Sequence, residues 1–406
     1  MQAGVPDIRR QVSSGPANHV IQVIKHLRVF KHDICLLANI NGKIWKSENL
    51  LDFKPVFLPY LDRGPIRLVE KIVRRIQSEF NLPYASLFES LRFALACRQE
   101  LHDRELFYER MGWMGYGGVI ASQWLDIPLI LEVNGDHLSE FEMLGIIPRP
   151  LQLWLSWKIM NNALQRVTHS VATGEGWLER FIERWDIDPT KVSVVQSGSQ
   201  IVELLDRDQL RSFQTFSKPL DPITIAYVGA FEPWHGINTL LHAFSDVIEE
   251  YNSVKLLLIG AGTELPSIKI IINELNISDY VTFTGQLSID QIANCLVDAD
   301  IGVAPYCGRV EFSGLKILDY KAAGLATIVS GENNQPVIIK HGHTGWIVPP
   351  CDENALRQAI IYLAQNYELR RQMGQAARLE AEKLHSWHNT AEQLENIFVQ
   401  TIESFR

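Results

Sequence analysis

Short apolar runs of strand length alternate along this sequence with segments of helical periodicity. Such alternation is typical of βαβ units, in which helices connect the strands of a parallel sheet. The runs in the first half of the chain lie at residues 33–37, 54–58, 106–109, 128–133, 168–172 and 192–195. Those in the second half lie at residues 223–228, 254–259, 281–283, 301–304, 326–330 and 346–348. The pattern therefore predicts two α/β domains, each with its own parallel sheet.

The stretch 204–222 separates the two sets of strands. It is polar, has no clear period and ends in Lys218-Pro-Leu-Asp-Pro222. We interpret it as a linker between an N-terminal domain, residues 1–203, and a C-terminal domain that begins at residue 223. With 406 residues, the chain is long enough for both domains to bury a core without disulfide bridges.

The composition argues against several classes of protein. The net charge of −9 disfavours general binding to nucleic acid. The five cysteines are scattered and include no CxxC pair, which indicates reduced thiols in a cytoplasmic protein and neither a disulfide framework nor a zinc site. The sequence contains no run of about 18 apolar residues, so it predicts no membrane-spanning helix. The first residues do not resemble a secretory signal. We expect neither a metal nor a cofactor.

One segment of the second half concentrates charged residues around a predicted helix start. Glu311 and Asp319 lie eight positions apart, with Lys316 between them. The run 301–305 before them has the pattern of a short buried strand, and Gly324 after them suits a helix C-cap. The segment is therefore predicted to be a strand, a loop and one short helix. In open α/β sheets, ligands bind at such strand-to-helix connections.

The start of this helix is suited to binding an anion. Ser313 is a candidate N-cap, so the free N–H groups near Gly314 and Leu315 would face the loop and carry a partial positive charge. Lys316 adds a full positive charge in the first turn, where the helix dipole disfavours a cation unless an anion is near. The alternative is a solvated lysine on an ordinary helix.

Residues 311–319 resemble the glutamate-x7-glutamate motif of retaining glycosyltransferases of family 4, the group 1 glycosyl transferases with the GT-B fold. The resemblance implies two Rossmann-like domains that face a central cleft, with the nucleotide-sugar donor bound by residues 223–385 and the acceptor by the N-terminal domain. It implies that Glu311 contacts hydroxyls of the donor sugar and that the stretch from Phe312 to Lys316 holds the diphosphate. Asp319 would contact the nucleotide ribose, although the family has glutamate there.

Further segments fit this family in their order and spacing. They are the runs 127–135, 229–236, 259–262, 283–285 and 341–345, and Ser386-Trp387 at the start of a last helix, residues 386–406, that would cross back to the N-terminal domain. In the 229–236 loop, Gly229 would let the donor diphosphate approach the backbone. The family commonly has a basic residue in this loop, whereas this chain has Glu232 and, as a potential cation, His235. Arg309 is either a compensating phosphate ligand or a solvated side chain.

The N-terminal half offers candidates for catalysis and for the acceptor side. His137 and Asp136 follow the run 128–133, at the carboxyl end of a predicted strand. His137 would donate to the donor sugar or its phosphate, because imidazole donates hydrogen bonds and titrates near neutrality. The alternative is a capping aspartate and a surface histidine. Glu109 and Arg110 lie at another strand end and are either substrate ligands or an ion pair.

The start of the chain departs from the family pattern. A loop-like run, Ser13-Ser-Gly-Pro16, and an amphipathic helix come almost at once, whereas the family opens with an apolar strand and a glycine-rich loop. Gly15 is the acceptor-side candidate in this run. We expect the first strand to be missing or reduced. We therefore expect either a start upstream of Met1 or a less stable N-terminal domain with an unpaired sheet edge.

Residues 66–76 predict a basic amphipathic helix. Apolar side chains share one face, and Arg67, Lys71, Arg74 and Arg75 lie largely off it. Such a helix can make a peripheral contact with an anionic membrane, in which case the acceptor would be lipid-linked. The simpler interpretation is a helix whose apolar face packs in the core and whose basic face is solvated.

The resemblance implies a retaining, hexosyltransferase-type glycosyltransferase of polysaccharide or glycoconjugate biosynthesis, and the composition indicates a cytoplasmic one. Its partners would be a nucleotide-diphosphate sugar donor and a sugar or lipid-linked acceptor, and not nucleic acid. One alternative is a nucleotide-sugar epimerase on the same fold, which needs no acceptor. The other is a non-catalytic GT-B protein that binds a sugar nucleotide or a partner, because a fold alone does not give activity.

Overall fold

The computed structural model describes residues 7–10, 15–79, 87–138, 141, 150–205, 222–307, 314–332 and 336–405. The chain forms two compact units. Unit 1 consists of residues 1–196 and 391–406, and unit 2 of residues 197–390. The predicted linker, 204–222, lies mostly outside the described residues.

Unit 1 is an α/β unit. Its helices are α1 (Gly15–Val29), α2 (Pro59–Asp62), α3 (Pro65–Glu79), α4 (Leu87–Glu100), α5 (Gly117–Leu125), α6 (Pro150–Arg166) and α7 (Leu178–Trp185). Its strands are β1 (Leu36–Ile40), β2 (Lys43–Ser47), β3 (Lys54–Pro55), β4 (Phe107–Arg110), β5 (Leu129–Val133), β6 (His169–Ala172) and β7 (Val192–Val194). Strands β4, β5, β6 and β7 form a parallel sheet in that order. Every residue of β5 is buried, as expected for a parallel strand covered by helices on both faces.

The first two predicted strands do not join this parallel sheet. Strands β1 and β2 pair antiparallel, and β3 extends them to a separate three-stranded sheet. Asn41 and Gly42 connect β1 to β2 with φ values of 52° and 74°. Two successive positive φ values make a type I′ hairpin turn, and Asn-Gly is the sequence that favours it. The prediction that residues 33–37 and 54–58 are parallel strands was therefore wrong, because a local hairpin signal decides their pairing.

Unit 2 is a second α/β unit. Its helices are α8 (Ile201–Leu204), α9 (Ile237–Glu250), α10 (Leu265–Glu274), α11 (Ile289–Val297), α12 (Leu315–Ala322), α13 (Glu353–Gln365) and α14 (Tyr367–Leu384). Its strands are β8 (Ile223–Val228), β9 (Val254–Ile259), β10 (Val281–Gly285), β11 (Ile301–Ala304), β12 (Ala326–Ser330) and β13 (Trp346–Val348). The last helix, α15 (Trp387–Phe405), begins in unit 2, and its residues from 391 onward belong to unit 1.

The six strands that the structure describes in unit 2 run parallel, in the order β10-β9-β8-β11-β12-β13. Five of the six runs predicted from the sequence have the bounds of the observed strands, and β10 extends two residues beyond the prediction. Buried aliphatic and aromatic side chains of the strands and of α9 and α13 form one core. The predicted parallel sheet of the second half is therefore confirmed.

The prediction that no cysteines pair was wrong in unit 2. Cys307, which follows β11, and Cys351, which follows β13, form a disulfide with their Cα atoms 5.1 Å apart. The two residues are 44 positions apart in sequence, so their spacing gives no sign that they meet. Cys35, Cys97 and Cys295 are free, as expected.

Strand β4 lies at an edge of the unit 1 sheet as far as the described residues form it. A cavity of about 470 Å³ adjoins this strand. Its walls come from α1, β4, the segment 32–37 and the end of α15.

The run Ser13-Ser-Gly-Pro16, predicted to be a loop, is helical in its second half. Gly15 and Pro16 belong to the first turn of α1, where proline is tolerated, and the two serines lie outside the described residues. Within the described part of the chain, no helix is long and apolar enough to cross a membrane.

We expect the amides of β4 to exchange with solvent at least about tenfold faster than those of β5. Edge strands carry backbone groups without a strand partner, and β4 has a cavity on that side. Hydrogen exchange of the intact chain, followed by mass spectrometry, measures this directly. The central strand β8 of unit 2 is the internal control for full protection. Equal protection of β4, β5 and β8 would contradict the expectation.

Candidate functional site

The strand order of unit 2 reverses between β8 and β11. From β8 the chain proceeds outward through β9 and β10, and from β11 it proceeds in the other direction through β12 and β13. In open parallel sheets, such a reversal leaves a crevice at the carboxyl ends of the two central strands, because their following helices lie on opposite sides. The residues directly after β8 and β11 are therefore the first place to look for a site.

Gly229 follows β8 with a φ of 140°, a conformation that essentially only glycine adopts. A Cβ atom at this position would lie 3.1 Å from Nζ of Lys316. The lysine head group therefore approaches the backbone at the end of β8. Gly229 and Lys316, predicted as parts of one site, are brought together.

Lys316 lies in the first turn of α12 and is only 7% exposed. Its Nζ donates to the hydroxyl of Tyr227 at 2.9 Å. The same atom lies 4.2 Å from the ring centroid of Tyr227 and 4.7 Å from that of Tyr306. The alternative of a solvated lysine is therefore wrong.

Burial lowers the pKa of Lys316 to about 7. Among the described residues, the contacts of its Nζ are the Tyr227 hydroxyl and the two aromatic rings, which offset only part of the cost of removing an ammonium from water. At neutral pH this lysine is poised between its charged and neutral forms. An anion placed beside it would favour the charged form.

The N-cap of α12 is Gly314, with a φ of 62°, and the expected N-cap Ser313 lies outside the described residues. Glycine serves here because this positive φ strains other residues. Gly314 is buried and Leu315 is the first residue of the helix. Gly324 ends the segment with a φ of 72°, which confirms the predicted C-cap region. Arg309, Glu311 and Phe312 also lie outside the described residues.

The loop after β8 packs against the loop after β11. A Cβ atom on Gly236 would overlap the carbonyl oxygen of Pro305, and the N–H of Cys307 donates to the carbonyl of Trp234 at 3.0 Å. These contacts fix the 229–236 loop beside Lys316. Within that loop, Glu232 accepts a hydrogen bond from Oγ1 of Thr263 at 2.6 Å.

His235 does not supply the positive charge that was expected of it. Its Nδ1–H donates to the carbonyl of Ala230 at 2.5 Å. Burial, together with the nearby charge of Lys316, lowers the pKa of His235 to about 4. The imidazole is therefore neutral at pH 7, and Lys316 is the cation of this loop region among the described residues.

Asp319 lies one turn after Lys316 on α12. It accepts a hydrogen bond from Oγ of Ser199 at 2.7 Å. Burial raises the pKa of Asp319 to about 6, although the Ser199 hydrogen bond opposes this shift. The next residue, Tyr320, anchors the helix to the sheet, because its hydroxyl accepts from the N–H of Val228 and donates to the carbonyl of Val303.

In unit 1, the four candidate residues at strand ends have separate environments. Glu109 is buried against α5, where the N–H of Gly118 donates to it, and burial raises its pKa. Arg110 donates to the carbonyl of Pro16 at 3.2 Å. The two therefore do not form the ion pair that was the alternative. Gly15, also predicted for the acceptor side, is the exposed first residue of α1.

Asp136 and His137 follow β5 as predicted. Asp136 is 2% exposed and forms an ion pair with Arg184, with 2.9 Å between Oδ2 and Nη1. His137 is half-buried, and its ring centroid lies 6.1 Å from that of Trp113. His137 is therefore partly covered at the end of β5, and its role stays a prediction.

A buried cluster around Glu132 was missed from the sequence. Its carboxylate lies 2.9 Å from Nε2 of His19 and accepts from the hydroxyl of Tyr108. Burial alone would raise the pKa of Glu132, but the charges of His19 and Arg110 and the hydrogen bonds of His19 and Tyr108 lower it to about 2. The one available signal was an acidic residue in the middle of the apolar run 128–133, where an ionised side chain needs partners.

No group of three or more His, Cys, Asp or Glu side chains in the described ranges is arranged to hold a metal ion.

Comparison with known proteins links these features to one family. Residues 208–380 match the family model described as glycosyl transferases group 1. Among curated proteins, the chain is 26% identical over 236 residues to a phosphatidyl-myo-inositol mannosyltransferase of Mycobacterium leprae, an alignment that covers 57% of this chain and 60% of the relative. The chain spans about half the length of the curated relatives it matches first.

Solved structures give the same result for the fold. A glycosyltransferase from Rickettsia africae matches with a TM-score of 0.65 at 16% identity and covers 96% of each chain. Anabaena HepE in complex with UDP and glucose matches with a TM-score of 0.61 at 16% identity over 75% of this chain and 80% of that one. The predicted GT-B fold is thereby confirmed.

The lowered pKa of Lys316 predicts how stability depends on pH. An unfolded lysine keeps its proton up to its ordinary pKa near 10.5, whereas the folded one loses it near 7. The unfolded state therefore binds more protons in this window, so the contribution of Lys316 to stability rises with pH from 7 to 10. Lys316→Met should remove this rise and should be more stable than the wild type at pH 7.

Urea unfolding of both proteins at several pH values between 7 and 10 measures the difference. Lys255→Met, which removes an exposed lysine of β9, is the matched control and should keep the wild-type slope. Parallel pH dependences for the wild type and Lys316→Met would refute the assignment of a neutral buried lysine.

Proposed function

We propose that this chain is a member of the glycosyl transferases group 1, whose family model matches residues 208–380, and that it transfers a sugar from a nucleotide-diphosphate donor to an acceptor. The observation that carries this proposal is the buried Lys316 at the switch point of the unit 2 sheet, against the backbone of Gly229. We place the reaction in the biosynthesis of a polysaccharide or glycoconjugate and assign it retention of configuration, in line with the motif at 311–319.

Lys316 and the start of α12 would bind the donor diphosphate. Transfer breaks the bond between the sugar and the diphosphate, so negative charge develops on the leaving phosphate oxygen. Lys316 supplies a full positive charge there, and the N–H groups near Gly314 and Leu315 add the partial charge of a helix start. Glycine at position 229 leaves room for a phosphate beside the backbone.

The two carboxylates of the motif would hold the rest of the donor. Asp319, already oriented by Ser199, would accept from a ribose hydroxyl. Glu311, with the neighbouring Phe312 and Ser313, would contact the sugar and diphosphate as the family motif implies. Arg309 would add a second cation near the phosphates. His235, which is neutral at pH 7, would act as a hydrogen-bond partner and not as a charge.

Unit 1 would supply the acceptor side. His137 is the candidate to donate to the donor sugar or its phosphate, and it follows the fully buried strand β5. Asp136, held by Arg184, would fix the loop that carries His137. Glu109, Arg110 and Gly15 complete the acceptor-side candidates.

The proposal requires no metal, because Lys316 and the helix start supply positive charge at the leaving group. A chelator should therefore leave the transfer rate unchanged.

The first experiment is a thermal-shift screen of the purified protein with UDP-, GDP- and ADP-sugars, since a bound donor stabilises the fold in proportion to its occupancy. Anabaena HepE binds UDP in its crystal structure, so UDP-sugars are tested first. Product analysis in the same samples then separates transfer from epimerisation and from binding without turnover.

Lys316→Ala should lower the rate of transfer by about a hundredfold, which corresponds to about 3 kcal/mol of lost transition-state stabilisation. The variant should also lose the proton uptake that accompanies nucleoside diphosphate binding near pH 8, because the wild-type lysine gains its proton when the anion binds. Titration calorimetry in buffers of different ionisation enthalpy measures this uptake. Lys255→Ala is the control and should match the wild type in both measurements. Near wild-type transfer by Lys316→Ala would refute the donor-site assignment.

Asp319→Asn should weaken nucleotide binding while it raises the thermal stability of the empty protein at pH 7. The pKa of Asp319 is raised to about 6 because the fold disfavours its ionised form. Its contribution to the free energy of unfolding therefore increases as the pH falls through 6 toward the ordinary pKa of aspartate. An amide keeps the Ser199 hydrogen bond and removes the charge. Asp319→Asn protein that binds nucleotide as well as the wild type would contradict the assignment of Asp319 to the ribose.

Glu311→Gln should give the opposite functional signature, with low turnover and preserved nucleoside diphosphate affinity.

A further inference from the structure

Helix α3 presents its apolar residues to solvent. Large aliphatic side chains occur at positions that share one stripe of the helix, and their exposed fractions are 60% for Leu68, 51% for Val69, 50% for Ile72 and 45% for Ile76. A helix on the surface of a globular protein normally turns this stripe inward. The interpretation of residues 66–76 as a helix with its apolar face packed in the core was therefore wrong.

A buried ion-pair network fixes this orientation. Glu70 is 7% exposed and accepts from Nη2 of Arg92 at 2.9 Å and from Nη2 of Arg74 at 2.7 Å. Burial alone would raise the pKa of Glu70, but the two arginines outweigh it and lower the pKa. Rotating the helix to bury its aliphatic stripe would expose Glu70 and leave the buried Arg92 without this carboxylate. The outward stripe is thus required by polar contacts on the opposite side of the helix.

The exposed stripe has a basic border. Arg67, Lys71 and Arg75 are all exposed, and Lys71 and Arg75 lie one position before Ile72 and Ile76. Arg75 also pairs with Glu79 at 3.0 Å on the surface, a contact that contributes little in water. Arg74, by contrast, turns toward Glu70 and Glu89 and does not belong to this border.

We propose that α3 is a docking surface for an anionic lipid bilayer. The aliphatic stripe, defined here as Leu68, Val69, Ile72 and Ile76, enters the boundary between headgroups and acyl chains. Arg67, Lys71 and Arg75 reach lipid phosphates with their charged ends while their methylene stems lie along the apolar boundary.

Charge complementarity favours lipid over a soluble partner. The chain as a whole carries a net charge of −9 and is repelled by an anionic surface, so binding depends on a local positive region. A flat bilayer accepts a straight stripe of aliphatic side chains with cations beside it and demands no shaped pocket. A row of leucine, isoleucine and valine over about two and a half turns, without an aromatic anchor, lacks the residues that dominate tight protein interfaces.

The surface is tested by co-sedimentation of the full chain with vesicles of phosphatidylcholine alone or with about a third of phosphatidylglycerol. The wild type should bind the anionic vesicles at low salt, ignore the neutral ones and dissociate near 1 M salt, where charges are screened beyond about 3 Å. Lys71→Gln with Arg75→Gln should weaken binding by about fivefold per charge removed, from about 1 kcal/mol for each basic residue. The matched control, Lys255→Gln with Lys383→Gln, removes two exposed lysines of unit 2 and should bind like the wild type.

The apolar half of the surface has its own variant. Leu68→Gln with Ile72→Gln keeps good helix formers at exposed positions and leaves Glu70 paired, so the fold should be unchanged while vesicle binding is lost. Ile270→Gln with Leu379→Gln, at two exposed apolar positions of unit 2, is its control. Lys316→Ala should bind vesicles normally, which keeps this test separate from that of the donor site. Wild-type protein that remains in solution with anionic vesicles at low salt would overturn the proposal, and so would equal binding by all four double variants.

Discussion

The approach of Lys316 to the end of β8 is the contact around which unit 2 is arranged. An ammonium group is placed where water is largely excluded, and the described partners are a tyrosine hydroxyl and two aromatic rings. Several features of the fold make this possible. The strand order reverses between β8 and β11, Gly229 has no side chain to exclude the lysine, and Gly314 turns the chain into α12 with a positive φ. The positive φ values of Gly229 and Gly314 favour glycine over other residues, and together these features form the position that we propose for an anion.

The strands of unit 2 could be predicted almost residue by residue, for a physical reason. A parallel strand covered on both faces is a mostly apolar run, and β8, β11 and β12 have that form, while β9 departs from it only at the exposed Lys255. Unit 1 was less predictable. Its first sheet depends on the Asn41-Gly42 turn, a two-residue signal that outweighs the apolar pattern on either side. The outward rotation of α3 was also hidden, because it depends on Glu70 meeting Arg92, 22 positions later.

The candidate site shows the same division between local and distant information. The helix start, Lys316 and Gly229 lie in recognisable local motifs, so the sequence alone marks them as candidates. The partners that set their chemistry come from elsewhere in the chain: Ser199 contacts Asp319 from 120 positions away, and Tyr227 reaches Lys316 from 89 positions away. Burial within the fold shifts the pKa values of both groups, so the sequence could name these candidate residues without giving their charge states. The neutral state of His235 is the clearest case, since its expected positive charge is removed by burial and by the lysine itself.

Lys316 and Asp319 lie on one short helix and are perturbed in opposite directions. Burial lowers the pKa of the lysine and raises that of the aspartate, so the empty site disfavours the charge of both. In the proposed donor complex, a nucleoside diphosphate would change the balance at each end. Its phosphates would stabilise the ammonium by direct attraction, and a ribose hydroxyl would stabilise the carboxylate by donating a hydrogen bond. The unfavourable burial of the empty protein would thus be relieved, and the site would select a ligand with an anionic group and a hydroxyl at that spacing. On this proposal, a substitution that removes either charge stabilises the empty fold at the expense of the complex, because stability and ligand binding are linked through the same two groups.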